Sequence, residues 1–100
     1  MMQLHRHANT FQVLRACLDV WKTSSAPPAE RTVCYSWVEP KCRELFGTTF
    51  HQSVLEKLAE SGHLSKADAS RAGRRRYYKV NHPQMLEAIC PRPAPNTGVC

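Results

Sequence analysis

The chain has 100 residues, of which 42% are hydrophobic and 22% are charged, and its formal net charge at pH 7 is +6. These values are ordinary for one soluble globular domain with a small core, and they leave little room for the cleft of an enzyme. No apolar run is long enough for a membrane span or a secretory signal, so we expect a cytoplasmic protein. The chain has no paired acids, no Gly-rich phosphate loop and no adjacent Cys-His pair, so we expect no catalytic activity.

The cysteines follow neither a disulfide pattern nor a metal-binding pattern. They number five, and no Cys-x-x-Cys pair occurs. Cys17 and Cys42 fall on the apolar faces of predicted helices, where a free thiol behaves as a small hydrophobic side chain. A zinc site formed by Cys34, Cys42 and a histidine is the alternative, although its spacing matches no known structural site. We therefore predict buried thiols, no metal and no cofactor.

An amphipathic helix is predicted over Thr10 to Lys22, after an N-terminal arm of residues 1–9. Asn9 or Thr10 can cap the helix. A polar loop with two adjacent prolines follows, from Thr23 to Glu30. Apolar residues recur in the helix at intervals of three and four, which predicts one buried face. They are Phe11, Leu14, Cys17, Leu18 and Trp21.

Two further helices are predicted around a tight turn. An edge strand over Thr32 to Tyr35 leads to a helix that ends at Gly47. Ser36 and Glu39 fit a capping box for this helix, which alternatively begins near Pro40. The third helix is predicted from about Phe50 to Ser61, with Thr49 and Gln52 as its capping box. Because only residues 47–49 separate the two helices, they must turn sharply, as in a helix-turn-helix.

Most of the net charge lies in residues 63–80, which we call the basic segment. Its six basic residues and one acid give 6 − 1 = +5 of the formal +6. Strands are expected at His63 to Ser65 and at Arg75 to Val80, with Leu64, Tyr78 and Val80 covering the helices. Charge at this density favours a polyanionic partner such as a nucleic acid. A last helix is predicted from Gln84 to Cys90 with Met85, Leu86 and Ile89 as its apolar stripe, and residues 91–100 form a proline-rich tail.

This order of elements resembles the winged helix-turn-helix domain, and the resemblance covers Phe11 to Val80. Gly62-His63-Leu64 followed by Gly73-Arg74-Arg75-Arg76-Tyr77-Tyr78-Lys79-Val80 looks like the wing of PadR-like, MarR-like and ArsR-like bacterial transcriptional regulators. The resemblance implies an α+β, mainly α fold: a three-helix core with a small two- or three-stranded antiparallel sheet and, optionally, a C-terminal helix. The domain would span residues 10–90.

The resemblance also implies function: a sequence-specific, nucleoid-associated regulator that binds double-stranded DNA as a homodimer, with no membrane or small-molecule substrate among its partners. The third helix would enter the major groove, and the wing would reach the backbone or the minor groove. The first helix and Gln84 to Cys90 would form the dimer contact. The candidate DNA-binding residues are Thr48, Thr49, His51, Gln52, Ser53, Lys57, Lys66, Arg71, Arg74, Arg75, Arg76 and Lys79.

Other interpretations of the same residues stay open. Gln52 is equally well explained as a capping residue, and Arg74 to Arg76 as charges that protect a sheet edge from association. The fold also docks proteins, so a protein-interaction module with an acidic partner is the alternative function. Structured RNA is less favoured because no exposed aromatic sheet is expected. Four aromatic residues at helical spacing are predicted to lie in the core: Trp21, Trp37, Phe46 and Phe50.

Overall fold

The computed structural model of the chain describes residues 6–67 and 76–90, which form a small, mainly helical α+β fold. No helix within these two ranges has the length and apolar character needed to cross a membrane. The helices are α1 (Thr10–Lys22), α2 (Tyr35–Phe46), α3 (Gln52–Glu60) and α4 (Pro83–Ile89), with a short 3-10 helix at Pro28–Glu30. The strands are β1 (Arg6–His7), β2 (Val33–Cys34), β3 (Thr48–Thr49), β4 (Leu64–Lys66) and β5 (Tyr77–Val80).

Helix α1 has the predicted bounds, and Asn9 is its cap. The Asn9 side chain accepts a hydrogen bond from the Gln12 amide at 2.8 Å, and the Gln12 side chain accepts one from the Asn9 amide at 3.1 Å. This reciprocal pair satisfies two backbone donors at the helix start. The predicted buried face is wrong at one end, because Phe11 is 48% exposed while Val13 is fully buried. The buried face is therefore rotated toward Val13 in the first turn of the helix.

Helix α2 begins earlier than the predicted capping box. Its N-cap is Cys34, which makes no side-chain capping bond, and Pro40 lies inside the helix. The missing amide of Pro40 leaves the carbonyl of Ser36 without its helical partner; Ser36 is exposed, so water can reach this end. Glu39 is not a capping residue and instead pairs with Arg43 at 3.0 Å. The predicted end is confirmed, since Gly47 adopts the left-handed conformation with φ of 70°.

The main sheet has three antiparallel strands in the order β2-β5-β4, so the prediction of an edge strand before α2 is confirmed. Leu64 pairs with Val80, and Val33 pairs with Tyr78. All four side chains are buried, and the inward face predicted for Leu64, Tyr78 and Val80 is confirmed. They pack against Leu14, Leu18, Leu55 and other apolar residues of the helices.

A second, two-stranded sheet was not predicted. β1 from the N-terminal arm pairs in parallel with β3, so that Arg6 lies beside Thr48 and His7 beside Thr49. The Ala8 amide extends this pairing with a hydrogen bond of 2.8 Å to the Thr49 carbonyl. Part of the arm is thus attached to the turn between α2 and α3.

Helix α4 lies against α1, with Leu86 fully buried. Arg15 of α1 is only 2% exposed and holds the end of α4. Its guanidinium donates to the Glu87 carboxylate at 3.1 Å, to the Glu87 carbonyl at 3.1 Å and to the Cys90 carbonyl at 3.0 Å. A cation at the last carbonyls of a helix is the favourable arrangement for the helix dipole. The predicted proline-rich tail lies outside the described residues.

Candidate functional site

An open groove lies between the start of α3 and the start of β5. Its volume is about 450 Å³, and its lining residues are His51, Gln52, Ser53, Glu56 and Arg76. Four of these five were predicted as DNA-binding residues, and the structure brings them together although Arg76 is more than twenty residues away in sequence.

The cap of α3 is His51 and not the predicted Thr49. The Nδ1 atom of His51 accepts a hydrogen bond from the Ser53 amide at 3.2 Å. The capping box predicted for Thr49 and Gln52 is therefore wrong. The Gln52 side chain makes no hydrogen bond to any residue of the described ranges, so its amide is available to a ligand.

Thr48 and Thr49 both have partners within the fold, and the burial of Thr48 argues against its prediction as a DNA contact. Thr48 is 6% exposed, and its Oγ1 lies 3.3 Å from the Sγ of buried Cys42. Thr49 donates its hydroxyl hydrogen bond to the Glu39 carboxylate of α2. Both residues belong to β3, which pairs with β1, and neither of them lines the groove. This pairing has little signal in the sequence, since both strands are only two residues long.

Glu56 connects α3 to both long strands of the main sheet. Its carboxylate lies 3.0 Å from the Lys66 ammonium of β4 and 2.8 Å from the Arg76 guanidinium at the start of β5. It also accepts a hydrogen bond from the hydroxyl of Tyr78. These contacts, first that of Tyr78 and then those of Arg76 and Lys66, lower the pKa of Glu56 from 4.5 to about 2. Burial, followed by the bond to Glu56, raises the pKa of Tyr78.

The Glu56 contacts change how two predicted site residues are interpreted. Lys66 and Arg76 are exposed at the surface, but one carboxylate neutralises half of their combined charge, leaving 2 − 1 = +1. An unpaired carboxylate at this position would repel phosphates. In the structure its charge is balanced locally, so a phosphate approaching the groove meets a net positive cluster.

Lys57 and Lys79 are exposed and form no ion pair within residues 6–67 and 76–90. Lys57 lies on α3, and Lys79 lies on β5 two residues after Tyr77. The predicted contacts Arg71, Arg74 and Arg75 lie outside the described residues. They belong to the connection between β4 and β5, and Arg76 follows Arg75 directly in the sequence.

Trp37 is 45% exposed, so its prediction as a core residue is wrong. The buried face of α2 contains Val38 and Cys42, and residue 37 is about 100° around the helix from residue 38. The indole contacts the ring of Tyr77, with 5.8 Å between centroids and 56° between planes. Helical phase relative to Val38 and Cys42 was the sequence signal that could have placed Trp37 at the surface.

The cysteines offer no reactive site in the described part of the chain. Cys17, Cys34, Cys42 and Cys90 are buried, as predicted for Cys17 and Cys42. Burial raises the pKa of Cys17, Cys42 and Cys90, so their thiols stay protonated and unreactive. Across residues 6–67 and 76–90, no group of His, Cys, Asp and Glu side chains has a geometry that could hold a metal ion.

Comparison of the sequence with family models, and of the chain with curated proteins and with solved structures, found no match.

Proposed function

We propose that this protein is a sequence-specific double-stranded DNA-binding protein with a winged helix-turn-helix fold, and that it regulates transcription. One observation carries the proposal. The first turn of α3 and Arg76 of the basic segment line the same groove. A helix start that presents polar side chains beside a cationic hairpin is an arrangement that can read base edges and also bind the flanking backbone.

The chemistry of α3 suits the major groove of DNA, which is wide enough to admit one helix. Gln52 presents both a donor and an acceptor, and it can form a bidentate pair with an adenine edge. His51 and Ser53 flank it at the exposed start of the helix. Glu56 lies one turn further along and is held by Tyr78, so only the beginning of α3 would approach the bases closely.

The basic segment supplies the charge for phosphate contacts. It contributes +5 of the formal +6, and Arg76, immediately before β5, and Lys79, within β5, flank Tyr77 and Tyr78. Arginine binds phosphate oxygens with two parallel donors, and it also enters a narrow minor groove favourably. A wing of this composition therefore suits contact with either the DNA backbone or the minor groove.

Homodimerisation is part of the proposal. A single module buries only about 600 to 1,000 Å² on DNA, so useful specificity needs two copies on a two-fold site, with half-sites about 34 Å apart. Phe11 of α1 and Met85 and Ile89 of α4 are large apolar side chains left about half exposed on two helices that pack together. They lie in the two segments that the sequence had indicated as the dimer contact.

Duplex binding measured against salt concentration tests the proposal. A duplex of random sequence should bind, and affinity should fall by roughly 10³-fold between 50 and 200 mM salt if about six phosphates are contacted per subunit. The triple variant R71Q/R74Q/R75Q should bind every duplex sequence more weakly by a similar factor, and its affinity should fall less steeply with salt concentration.

The matched control is the double variant K22Q/K41Q, which removes charge from α1 and α2, where both lysines pair with glutamates outside the groove. It should bind nearly as the wild type does. A flat salt response, or binding that does not change when the three arginines are lost, would contradict the proposal and favour a protein-interaction module.

A further inference from the structure

The capping bond of α3 fixes which ring nitrogen of His51 carries the hydrogen. The Ser53 amide lies 3.2 Å from the Nδ1 atom of His51, and a backbone amide can only donate. The Ser53 hydroxyl lies 3.2 Å from the same nitrogen. Nδ1 is therefore the acceptor and carries no hydrogen. Because the bond made by one ring nitrogen decides the state of the other, the ring is the neutral tautomer with its hydrogen on Nε2.

The Nε2 donor of His51 has no partner in the described part of the chain. The side-chain hydrogen bonds of His51 there all go to Ser53 and use Nδ1. Among the described lining residues of the groove, the one carboxylate is that of Glu56, which is already engaged by Tyr78 and two cations. His51 is exposed and lines the groove. Its Nε2 hydrogen is thus left for a ligand that enters this groove.

A single uncharged donor is better suited to a base edge than to a phosphate. Phosphate contacts draw their strength from cations and carry no sequence information directly. Guanine presents two neighbouring acceptors in the major groove, whereas cytosine presents only a donor. Adenine sets its acceptor beside a donor, and thymine has one acceptor beside a methyl group. A lone N–H group is therefore matched best by guanine and worst by cytosine.

We propose that His51 is a specificity-determining residue whose Nε2 donates a hydrogen bond to the major-groove edge of a guanine. The inference rests on the proposed function, because it requires the first turn of α3 to enter the major groove. The guanine lies at a different position of the site from the adenine that Gln52 would contact. The capping bond then has two effects: it satisfies a backbone amide at the start of α3, and it keeps the acceptor nitrogen of the ring away from the DNA.

The tautomer is measured first, on the intact chain without DNA. Nitrogen NMR of the histidine rings distinguishes a nitrogen that carries hydrogen from one that does not. The variant H51S assigns the His51 signals among those of the five histidines. At about pH 8, where an ordinary histidine is neutral, His51 should carry its hydrogen on Nε2. A hydrogen on Nδ1, or an even mixture of the two tautomers, would overturn the inference.

Specificity is measured by selecting bound duplexes from a randomised library and then comparing affinities. The wild type should select a guanine at one position where H51S shows no preference. Exchanging that G·C pair for C·G should weaken the wild type about tenfold and leave the affinity of H51S nearly unchanged. Serine is among the best N-cap residues, so H51S keeps the start of α3 and removes the ring. Thermal unfolding of H51S should therefore occur at or above the wild-type temperature.

The matched control is Q52A, which changes the next residue in the same groove. It should keep the guanine preference and lose a preference at another position. If duplexes bind with steep salt dependence but H51S keeps the guanine preference, the role of His51 is wrong and the proposed function stands. If H51S weakens all sequences by one factor, His51 contacts the backbone and the inference is again overturned. If no duplex binds the wild type, the proposed function and the role of His51 both fail.

Discussion

The hydroxyl of Tyr78, in the middle strand of the main sheet, donates a hydrogen bond to the Glu56 carboxylate of α3. Lys66 and Arg76 complete the surroundings of the same carboxylate. Glu56 is therefore the point at which the proposed recognition helix is fixed relative to the strands that carry the basic segment. A change in this carboxylate should affect both stability and the geometry of the groove.

The stability of the fold should depend on pH below 5 through Glu56. Its pKa in the folded protein is about 2, against an ordinary value of 4.5. A carboxyl group whose pKa is lowered by folding contributes stability above its unfolded pKa, and this contribution is lost as pH falls through the folded value. Urea unfolding should show the wild type losing stability between about pH 5 and pH 2.

The variant E56Q should remove part, but not all, of the pH dependence of stability. Lys22 and then Arg15 lower the pKa of Glu87 to about 2, so Glu87 contributes in the same pH window. The control is E44Q, since Glu44 is an exposed residue of α2. An E56Q variant with the full pH dependence of the wild type would show that the contacts of Glu56 do not persist in solution.

The variant Y78F tests the largest contributor to the low pKa of Glu56. It keeps the buried ring and removes only the hydroxyl. The pKa of Glu56, followed by NMR of its side-chain carboxyl carbon, should rise toward 4.5, and unfolding should become easier by about 1.5 kcal/mol, as for hydrogen bonds to charged groups. Y77F is the matched control, because its hydroxyl bonds to nothing in the described ranges. An unchanged Glu56 pKa in Y78F would refute the assignment.

Local patterns predicted the elements whose signals are contained in a few neighbouring residues. The apolar period of α1, the left-handed Gly47 and the alternation of Tyr78 and Val80 each depend on short-range geometry, and the structure agrees. Helix α4 lies where it was predicted, although only Leu86 of its expected apolar stripe is buried.

The errors came from contacts between distant parts of the chain. Thr49 was predicted as a cap because its local sequence allows it, but pairing with β1 and a bond to Glu39 place it elsewhere, and His51 takes the capping position. The grouping of His51, Gln52 and Ser53 with Arg76 was expected only from the family resemblance. The partnership of Glu56 with Lys66, Arg76 and Tyr78 had no local signal, since it depends on how α3 lies on the sheet.

Gln52 should determine sequence preference if α3 enters the major groove. The variant Q52A should lose about 1 to 3 kcal/mol of discrimination at one base pair, while binding to random duplex changes little. The fold should be unaffected because the Gln52 side chain bonds to no described residue. Selection from a randomised duplex library, followed by sequencing, measures the preference.

The contrasting variant is K57Q on the same helix. Loss of an exposed lysine that contacts phosphate should weaken binding to all sequences alike and should reduce the slope of log affinity against log salt by about 1. If Q52A and K57Q had the same effect on every sequence, Gln52 would not be reading a base.

Among the charged residues that the structure describes, Arg15 should be the one whose replacement lowers stability most. Replacing it with methionine keeps the apolar stem but leaves the Glu87 and Cys90 carbonyls without their donor. We expect a loss of about 1.5 to 3 kcal/mol in the free energy of unfolding, as for buried hydrogen bonds to charged groups. K22Q, which removes the exposed partner of the same glutamate, should cost about 0.2 to 1 kcal/mol. Comparable losses in the two variants would contradict the anchoring role of Arg15.

The proposed homodimer should depend on the exposed apolar residues of α1 and α4. Met85 and Ile89 are four residues apart and therefore lie on one side of α4, while Leu86 faces α1. The variant M85Q/I89Q should behave as a monomer in sedimentation equilibrium at concentrations where the wild type has twice the mass of one chain. Because both side chains are about half exposed, the substitutions should leave the folded monomer intact.

The matched control for the dimer is W37Q, which changes an equally exposed aromatic side chain on α2. It should remain dimeric, because Trp37 lies on neither of the two helices involved. DNA binding provides a second readout. A monomeric M85Q/I89Q variant should retain binding to random duplex and lose the preference for a two-fold site, since each subunit keeps its own groove and loses its fixed spacing from the other. A wild-type chain that sediments as a monomer at all concentrations would remove the dimer from the proposal, and would require specificity to come from a single groove.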